Sequence, residues 1–206
     1  QATAVNKSVL QSMLAEMYAQ FLRNHLYKFQ DRTGVVDYNP EDLNTWDIPM
    51  ITAKIFELYT ASIQGKEIKN VKLSDYTDLL SQQNYDKALM PTLYDLLMSR
   101  ALLFFSNENS YITQPAYKFY IEDDAAFADS QSFVNHKFVA KDSISNKFRA
   151  ILMYQDLLRF HLKDKNPEAL VDADLRRLNW MLSQSIISNK NDKIDWDKHT
   201  KIGVIR

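Results

Sequence analysis

Glycine is the residue that most constrains this chain, because only Gly34, Gly65 and Gly203 occur among its 206 residues. Proteins contain about 7% glycine on average, and tight hairpin turns depend on it for their backbone conformation. Three isolated glycines also exclude a glycine-rich phosphate loop or a dinucleotide-binding motif. With only five prolines as further turn formers, the composition predicts a mostly helical fold.

Charge and cysteine content exclude several functional classes. Lys and Arg total 25 against 26 Asp and Glu, so no basic surface is expected that would attract nucleic acid. The chain has no cysteine, which excludes disulfides, thiolate metal sites and a cysteine nucleophile. No apolar run approaches the roughly 20 residues that span a bilayer. The first residue is Gln1, which we interpret as the start of a piece of a longer protein.

Hydrophobic periodicity predicts helices in the first half of the chain. A helix is expected over residues 6–29, and a second begins at the capping residue Asp47 and ends at Gly65. A short helix is expected over residues 74–80. Residues 91–105 are apolar on nearly every face, as expected for a helix in the middle of a bundle. The first helix is expected to bury the stripe formed by Leu10, Met13, Leu14, Met17, Phe21 and Leu26.

The second half combines a loop-rich insertion with a helical hairpin. Residues 117–121 alternate weakly and predict one short strand, and the aromatic residues around them are expected to cover the core. Helices over residues 145–163 and 166–187 are joined by a link short enough to make them antiparallel. The tail is polar apart from Trp196 and residues 202–205.

These patterns predict an all-α domain of about six helices, packed as an irregular bundle or an array of helical hairpins. We expect a single domain over residues 1–206. Its parts are a first helical region, a loop-rich insertion, a C-terminal helical hairpin and a tail, at residues 1–106, 107–144, 145–188 and 189–206.

Four histidines are the first candidates for chemistry, and no two of them share the four-residue spacing of a helical metal site. His161 falls near a helix end, where a cation complements the helix dipole. His25 is expected to be a hydrogen-bonded residue at the edge of the core. His136 and His199 have no supporting motif.

An acidic run in the insertion offers oxygen ligands for a hard cation such as calcium. It consists of Glu122, Asp123, Asp124 and Asp129. An EF-hand loop also needs a central glycine and a closing glutamate, which this run lacks. We interpret these residues as solvated loop charges and predict no metal site and no cofactor.

Three polar residues interrupt the apolar helix predicted over residues 91–105. Asp95 follows Thr92 at the spacing of a capping box, and Ser99 has no assigned role. Arg100, if buried, needs a carboxylate partner, because an unpaired buried charge is too costly. Asp47 and Asp95 are the candidate partners, and Arg100 is predicted to be structural.

Neither serine nor the aromatic residues point to a catalytic or carbohydrate-binding site. No serine stands in a G-x-S-x-G or S-x-x-K arrangement. The 11 Tyr, 11 Phe and 3 Trp could stack on sugars or bases, but at helical spacing they favour a core role. The sequence thus predicts no catalytic residue.

Five segments, in a fixed order along the chain, carry a resemblance. They are residues 8–21 (SVLQSMLAEMYAQF), 32–35 (RTGV), 43–47 (LNTWD), 91–105 (PTLYDLLMSRALLFF) and 172–180 (DADLRRLNW). Together they resemble the N-terminal helical region of very large alpha-2-macroglobulin-like proteins from Bacteroides-type bacteria. LNTWD and PTLYDLLMSRALLFF are its most specific parts.

The resemblance implies an extracytoplasmic protein, periplasmic or held at a membrane through its parent chain. Members of the family are thought to trap proteases after cleavage of a bait segment, often with a cysteine–glutamine thioester. This chain has no cysteine, and its helical pattern differs from the β-sandwich domains of the family. The resemblance therefore implies a scaffold or docking domain ahead of those domains, and no functional residue is carried over.

Three hypotheses follow. The first is the non-catalytic docking domain, which contacts the following domains of its parent and through them proteases or other proteins. The second is a helical-repeat-like module that binds a peptide or protein in a groove. A concave face lined by exposed Tyr and Trp would favour it, whereas a flat apolar patch near residues 202–205 would favour docking. The third is an enzyme in which the acids of residues 122–129 meet His136 or His161 in a pocket.

Overall fold

The structure, a computed structural model, describes residues 3–29, 39–79, 86–107, 117–141, 145–196 and 199. Residues 32–35 and 202–205, which figure in the predictions, lie outside these ranges. Within them the all-α fold is confirmed, with no strand and only isolated bridges at Lys72–Thr92 and Ile121–Ser185. The six helices are α1 (Ala4–Phe29), α2 (Ile48–Ile63), α3 (Leu93–Phe105), α4 (Ser130–Asn135), α5 (Asn146–His161) and α6 (Glu168–Gln184).

Capping side chains begin two of these helices where the sequence predicts. The carboxylate of Asp47 accepts the backbone N–H of Met50 at 2.8 Å at the start of α2, and the hydroxyl of Ser145 accepts the N–H of Phe148 at 3.4 Å in α5. Each satisfies a donor that the first helical turn leaves without a partner. The short helix expected over residues 74–80 is instead a pair of 3₁₀ turns (Leu73–Leu79) that meet at a non-helical Tyr76.

The prediction of which face of α1 is buried is wrong. The face that packs on α2 carries small residues, and the predicted stripe points outward, with Leu10 56% exposed and Met17 64% exposed. Small side chains let two helix backbones approach closely, which leaves the larger residues outside. Gly65 belongs to this close contact, since a Cβ there would lie 3.1 Å from Ser8 Oγ. The inner face contains Ser8, Ser12, Ala15, Ala19 and Leu22.

We call the exposed residues Leu10, Met13, Leu14 and Met17 the outer stripe of α1. The predicted stripe also included Phe21 and Leu26, and these two are half-buried against the core.

Helix α3 lies in the middle of the bundle, as its apolar sequence predicts, and contacts α1, α2 and α5. Tyr94, Leu97, Met98 and Phe105 are almost fully buried in it, whereas Leu103 is exposed. Burying such side chains is worth about 1.5–3 kcal/mol each. This helix therefore contributes a large share of the core.

Helices α5 and α6 pack together as the predicted hairpin. The link between them ends at Asn166, whose side-chain oxygen accepts the backbone N–H of Glu168 at 3.2 Å. The buried apolar residues of all six helices form one cluster that extends from Val9 to Ile194. None of the described helices has both the length and the hydrophobicity to cross a bilayer.

The insertion contains more structure than a loop, because a 3₁₀ turn (Asp124–Phe127) precedes α4. Its phenylalanines cover the core as predicted, with Phe127, Phe133 and Phe138 buried. Two tyrosines do not, since Tyr117 is 60% exposed and Tyr120 is 48% exposed. The strand predicted over residues 117–121 is absent, and in that segment only Ile121 forms a bridge, to Ser185.

The described part of the tail folds back on the domain. Ile194 and His199 are buried, and Trp196 is 40% exposed. The division of the chain into four parts and the docking patch near residues 202–205 remain predictions.

Candidate functional site

A cleft of about 580 Å³ lies in the insertion. One wall is residues 117–123 and the other is residues 137–141, with Ile151 of α5 at the bottom. Ile121 and Phe138 are buried and complete an apolar floor. We call this hollow the aromatic cleft.

The two walls run antiparallel, as contacts at their ends show. At one end the ammonium of Lys141 lies 5.8 Å from the centre of the Tyr117 ring. At the other end the imidazole Nε2 of His136 lies 2.7 Å from Asp123 Oδ2. The start of the first wall thus faces the end of the second, and the space between them is open.

Burial alternates along both walls in the manner of a β-strand. On the first wall Phe119 packs on Phe148 with ring centres 5.4 Å apart, whereas Lys118 and Tyr120 are exposed. On the second wall the exposed residues Lys137 and Val139 flank buried Phe138, and Lys141 is again exposed. This two-residue period is that of extended backbone, so each wall offers one row of side chains to the solvent.

The acidic run is distributed over separate structural contacts. Asp123 accepts the backbone N–H of Ala125 at 2.9 Å in addition to its pairing with His136. Asp124 pairs with Lys193. Asp129 caps α4 by accepting the N–H of Ser132 at 3.1 Å. Within the described ranges no three His, Asp or Glu side chains converge as a metal site requires.

Among the described contacts of the insertion, His136 and Asp123 form an acid–imidazole combination that the sequence predicts. Asp123 lies at the end of the aromatic cleft, and His136 packs edge-on against Phe138 with ring centres 4.6 Å apart. The residues that line the cleft include no serine or threonine. The pair therefore has no serine or threonine hydroxyl beside it in the cleft lining for an acyl-transfer arrangement.

His161 lies at the end of α5 as predicted, but its ring contacts carboxylates rather than the free carbonyls of the helix. Its Nε2 lies 2.8 Å from Asp95 Oδ1 and its Nδ1 lies 2.7 Å from Asp164 Oδ2. Burial alone lowers the pKa of His161, but the hydrogen bonds and charges of the two carboxylates outweigh it and raise the pKa above its usual value. The ring is 2% exposed, so it links α3 to α5 instead of facing a substrate.

Asp95 has the capping role that its spacing predicts. Its Oδ2 accepts both the backbone N–H and the hydroxyl of Thr92 at 2.8 Å. Its other oxygen meets His161. One buried carboxylate therefore begins α3 and fastens it to α5.

The ion pair predicted for Arg100 is wrong. Arg100 is half-buried, and its Nε donates to Ser12 Oγ of α1 at 3.0 Å, while Asp47 and Asp95 are occupied by their own helix caps. A half-buried guanidinium remains solvated enough to need no carboxylate. Ser99, which had no assigned role, accepts from Arg176 of α6 at 3.1 Å.

Sequence reasoning missed a second buried group, formed by Asp174, Arg177 and His199. Asp174 Oδ2 lies 2.6 Å from His199 Nδ1, and Arg177 donates to the carbonyls of Ala126 and Ala128 at 2.9 Å. Asp174 Oδ1 also lies 2.7 Å from Arg177 in an ion pair without directional hydrogen-bond geometry.

The position of this group explains why it was missed. All three side chains are at most 2% exposed, and burial lowers the pKa of Arg177 while the charge of Asp174 opposes that shift. The three-residue spacing of Asp174 and Arg177 on α6 was the only signal in the sequence. His199 lies 25 residues further along, where no local pattern connects it to α6.

His25 is hydrogen-bonded at the edge of the core, as predicted. Its Nδ1 lies 2.9 Å from the carbonyl oxygen of Phe21, and the two rings are tilted against each other with centres 4.5 Å apart. This histidine is part of α1 and does not line the aromatic cleft.

A second, shallower cleft lies along the outer side of α2 and has about the same volume, 580 Å³. It is bordered by Phe56 and Arg149, whose guanidinium lies 4.7 Å from the ring centre. This cleft is more open and has no row of exposed aromatic residues.

Comparison with known proteins gives no assignment. No family model, no curated protein and no solved structure matches this chain.

Proposed function

We propose that this chain is a non-catalytic interaction module that holds a segment of a partner polypeptide in the aromatic cleft. The observation that supports it is the pair of exposed side chains Tyr120 and Val139, one on each wall, beside an apolar floor in a concave site. Tyrosine is enriched where proteins bind one another, because it presents large apolar area and a polar tip. This cleft lies between two extended segments, whereas the sequence predicted a groove between helices.

A phage-displayed library of random heptapeptides tests the proposal. We expect the protein to select peptides, and Tyr120→Ser to reduce their affinity by about tenfold or more, as loss of a central aromatic contact does. Tyr27→Ser is the control, because Tyr27 is also exposed, at 68% against 48% for Tyr120, but lies on α1, away from the cleft. Peptides that bind both variants as well as the wild type would contradict the proposal, as would the absence of any selected peptide.

The second candidate is the docking domain of a larger alpha-2-macroglobulin-like protein outside the cytoplasm. It is supported by the sequence resemblance and by the outer stripe of α1, four large apolar side chains that are 40–64% exposed. Apolar patches of this kind mark interaction sites. The coding sequence downstream of Arg206 tests it: macroglobulin-type β-domains there would support it, and a stop codon just after Arg206 would contradict it.

The non-catalytic part of the proposal is tested at His136. An enzyme that used the Asp123–His136 pair would lose activity in His136→Gln while keeping its fold. We expect no hydrolysis of peptide, ester or glycoside substrates by the wild-type protein. A turnover that disappears in His136→Gln would contradict the proposal.

A further inference from the structure

Part of the backbone of the cleft walls has no hydrogen-bond partner among the described residues, and this indicates how a ligand can bind there. Among the described residues, none of 118–120 and none of 137–141 makes a hydrogen bond through its backbone N–H or C=O. Backbone groups in folded proteins are almost always paired with protein or water. A wall with strand-like alternation and unpaired backbone is an edge to which another extended chain can be added.

Charge indicates which chains fit this edge. Lys118, Lys137 and Lys141 all line the cleft, and none forms an ion pair with a described carboxylate. The opposing charges are Glu122 and Asp123, and Asp123 is already paired with His136. Lys118 and Lys141 are at the Tyr117 end, whereas Lys137 lies with Glu122 at the other end, so the Tyr117 end is the more basic of the two.

We propose that the aromatic cleft binds an extended, acidic polypeptide segment by strand addition. Resting on the proposed function, this inference adds the conformation and the charge of the ligand. One wall supplies backbone hydrogen bonds along the segment. Tyr120 and Val139 contact its apolar side chains, and Lys118 and Lys141 receive a carboxylate.

Synthetic peptides test conformation and charge separately. The probe is a fluorescein-labelled hexapeptide of alternating glutamate and valine, compared with versions in which glutamine or lysine replaces glutamate. A fourth version carries N-methyl groups on alternate amides, which removes hydrogen-bond donors but keeps the side chains. Binding is measured by fluorescence polarisation and by NMR chemical-shift mapping at up to millimolar peptide.

We expect the glutamate peptide to bind most tightly and the lysine peptide to bind least. We also expect N-methylation to weaken binding by about tenfold or more, since several strand hydrogen bonds are lost. Shifts are expected at residues 118–120 or 137–141. Equal affinity for the glutamate and lysine peptides would overturn the charge assignment, and equal affinity for the N-methylated peptide would overturn strand addition.

Protein variants link the effect to the cleft. The double substitution Lys118→Glu and Lys141→Glu is expected to lower the affinity for the glutamate peptide by about tenfold and to raise the affinity for the lysine peptide. Lys165→Glu is the control, an exposed lysine in the link between α5 and α6. Thermal unfolding of each variant verifies its fold. An unchanged preference in the double variant would overturn the inference.

The outcomes distinguish this inference from the proposed function. If heptapeptides selected from the random library bind at the cleft but are not enriched in acidic residues, the proposed function is supported and this inference is contradicted. If no peptide of any charge binds, both fail. Self-association of the protein that is abolished by Tyr120→Ser would identify a second copy as the occupant and would overturn the inference.

Discussion

At the scale of single residues, the polar groups buried in this protein serve mainly to connect helices. His161 is the clearest case, because it lies between Asp95 of α3 and Asp164 after the end of α5. Its pKa in the folded protein is above the usual value of about 6.5. The stabilisation from the charged ring is therefore complete below about pH 6.5 and is lost as the pH rises through the folded pKa.

The direction of the His161 pKa shift predicts how stability depends on pH. The free energy of unfolding, measured by urea denaturation, is expected to fall as the pH rises above about 6.5, and His161→Gln should flatten that dependence. At pH 6 the substitution should cost about 3 kcal/mol, because it leaves Asp95 without its cationic partner. Gln155→Met, which changes a buried residue of α5 that does not titrate, should keep the wild-type slope. An unchanged slope in His161→Gln would contradict this role.

Arg177 carries a second prediction at this scale. Arg177→Met removes the donor to two carbonyls and leaves the Asp174 carboxylate buried with only His199. We expect a loss of about 3–5 kcal/mol, as for other broken buried pairs. Lys54→Met, which removes the surface ion pair to Glu57, should cost about 1 kcal/mol or less. Equal losses in the two variants would contradict the buried role.

At the scale of elements, the starts of the helices follow from the sequence and the orientation of α1 does not. Asp47 and Ser145 are local signals, because a capping side chain acts on its own helix. The face that a helix buries depends on its neighbour. In α1 the rule that large apolar residues face inward fails, since Ala15 and Ala19 allow α2 to approach closely.

Two substitutions in α1 test this orientation. Ala15→Leu should destabilise the protein by about 1–3 kcal/mol because it overpacks the contact with α2. Met17→Ala should change stability by no more than about 0.5 kcal/mol, since Met17 is largely exposed. Chemical denaturation provides both values. A large loss for Met17→Ala with none for Ala15→Leu would restore the predicted stripe as the buried face.

At the scale of the whole molecule, the fold class could be predicted and the candidate site could not. The scarcity of glycine and the apolar sequence of α3 are sufficient to predict an all-α bundle. The aromatic cleft depends on two extended segments about 20 residues apart in sequence, and only tertiary contacts such as that of Asp123 with His136 bring them together. Tyr117 and Tyr120 looked like core residues, because composition does not show which aromatic residues a fold leaves exposed.

The central claim is that the aromatic cleft has open walls that pair with an added chain. Residue-resolved amide hydrogen exchange by NMR tests it most directly, in the free protein and with the glutamate–valine peptide at saturation. We predict fast exchange at residues 118–120 and 137–141 in the free protein, and slower exchange at alternate amides of one wall with peptide bound. Slow exchange already in the free protein, or no change on peptide addition, would contradict the claim.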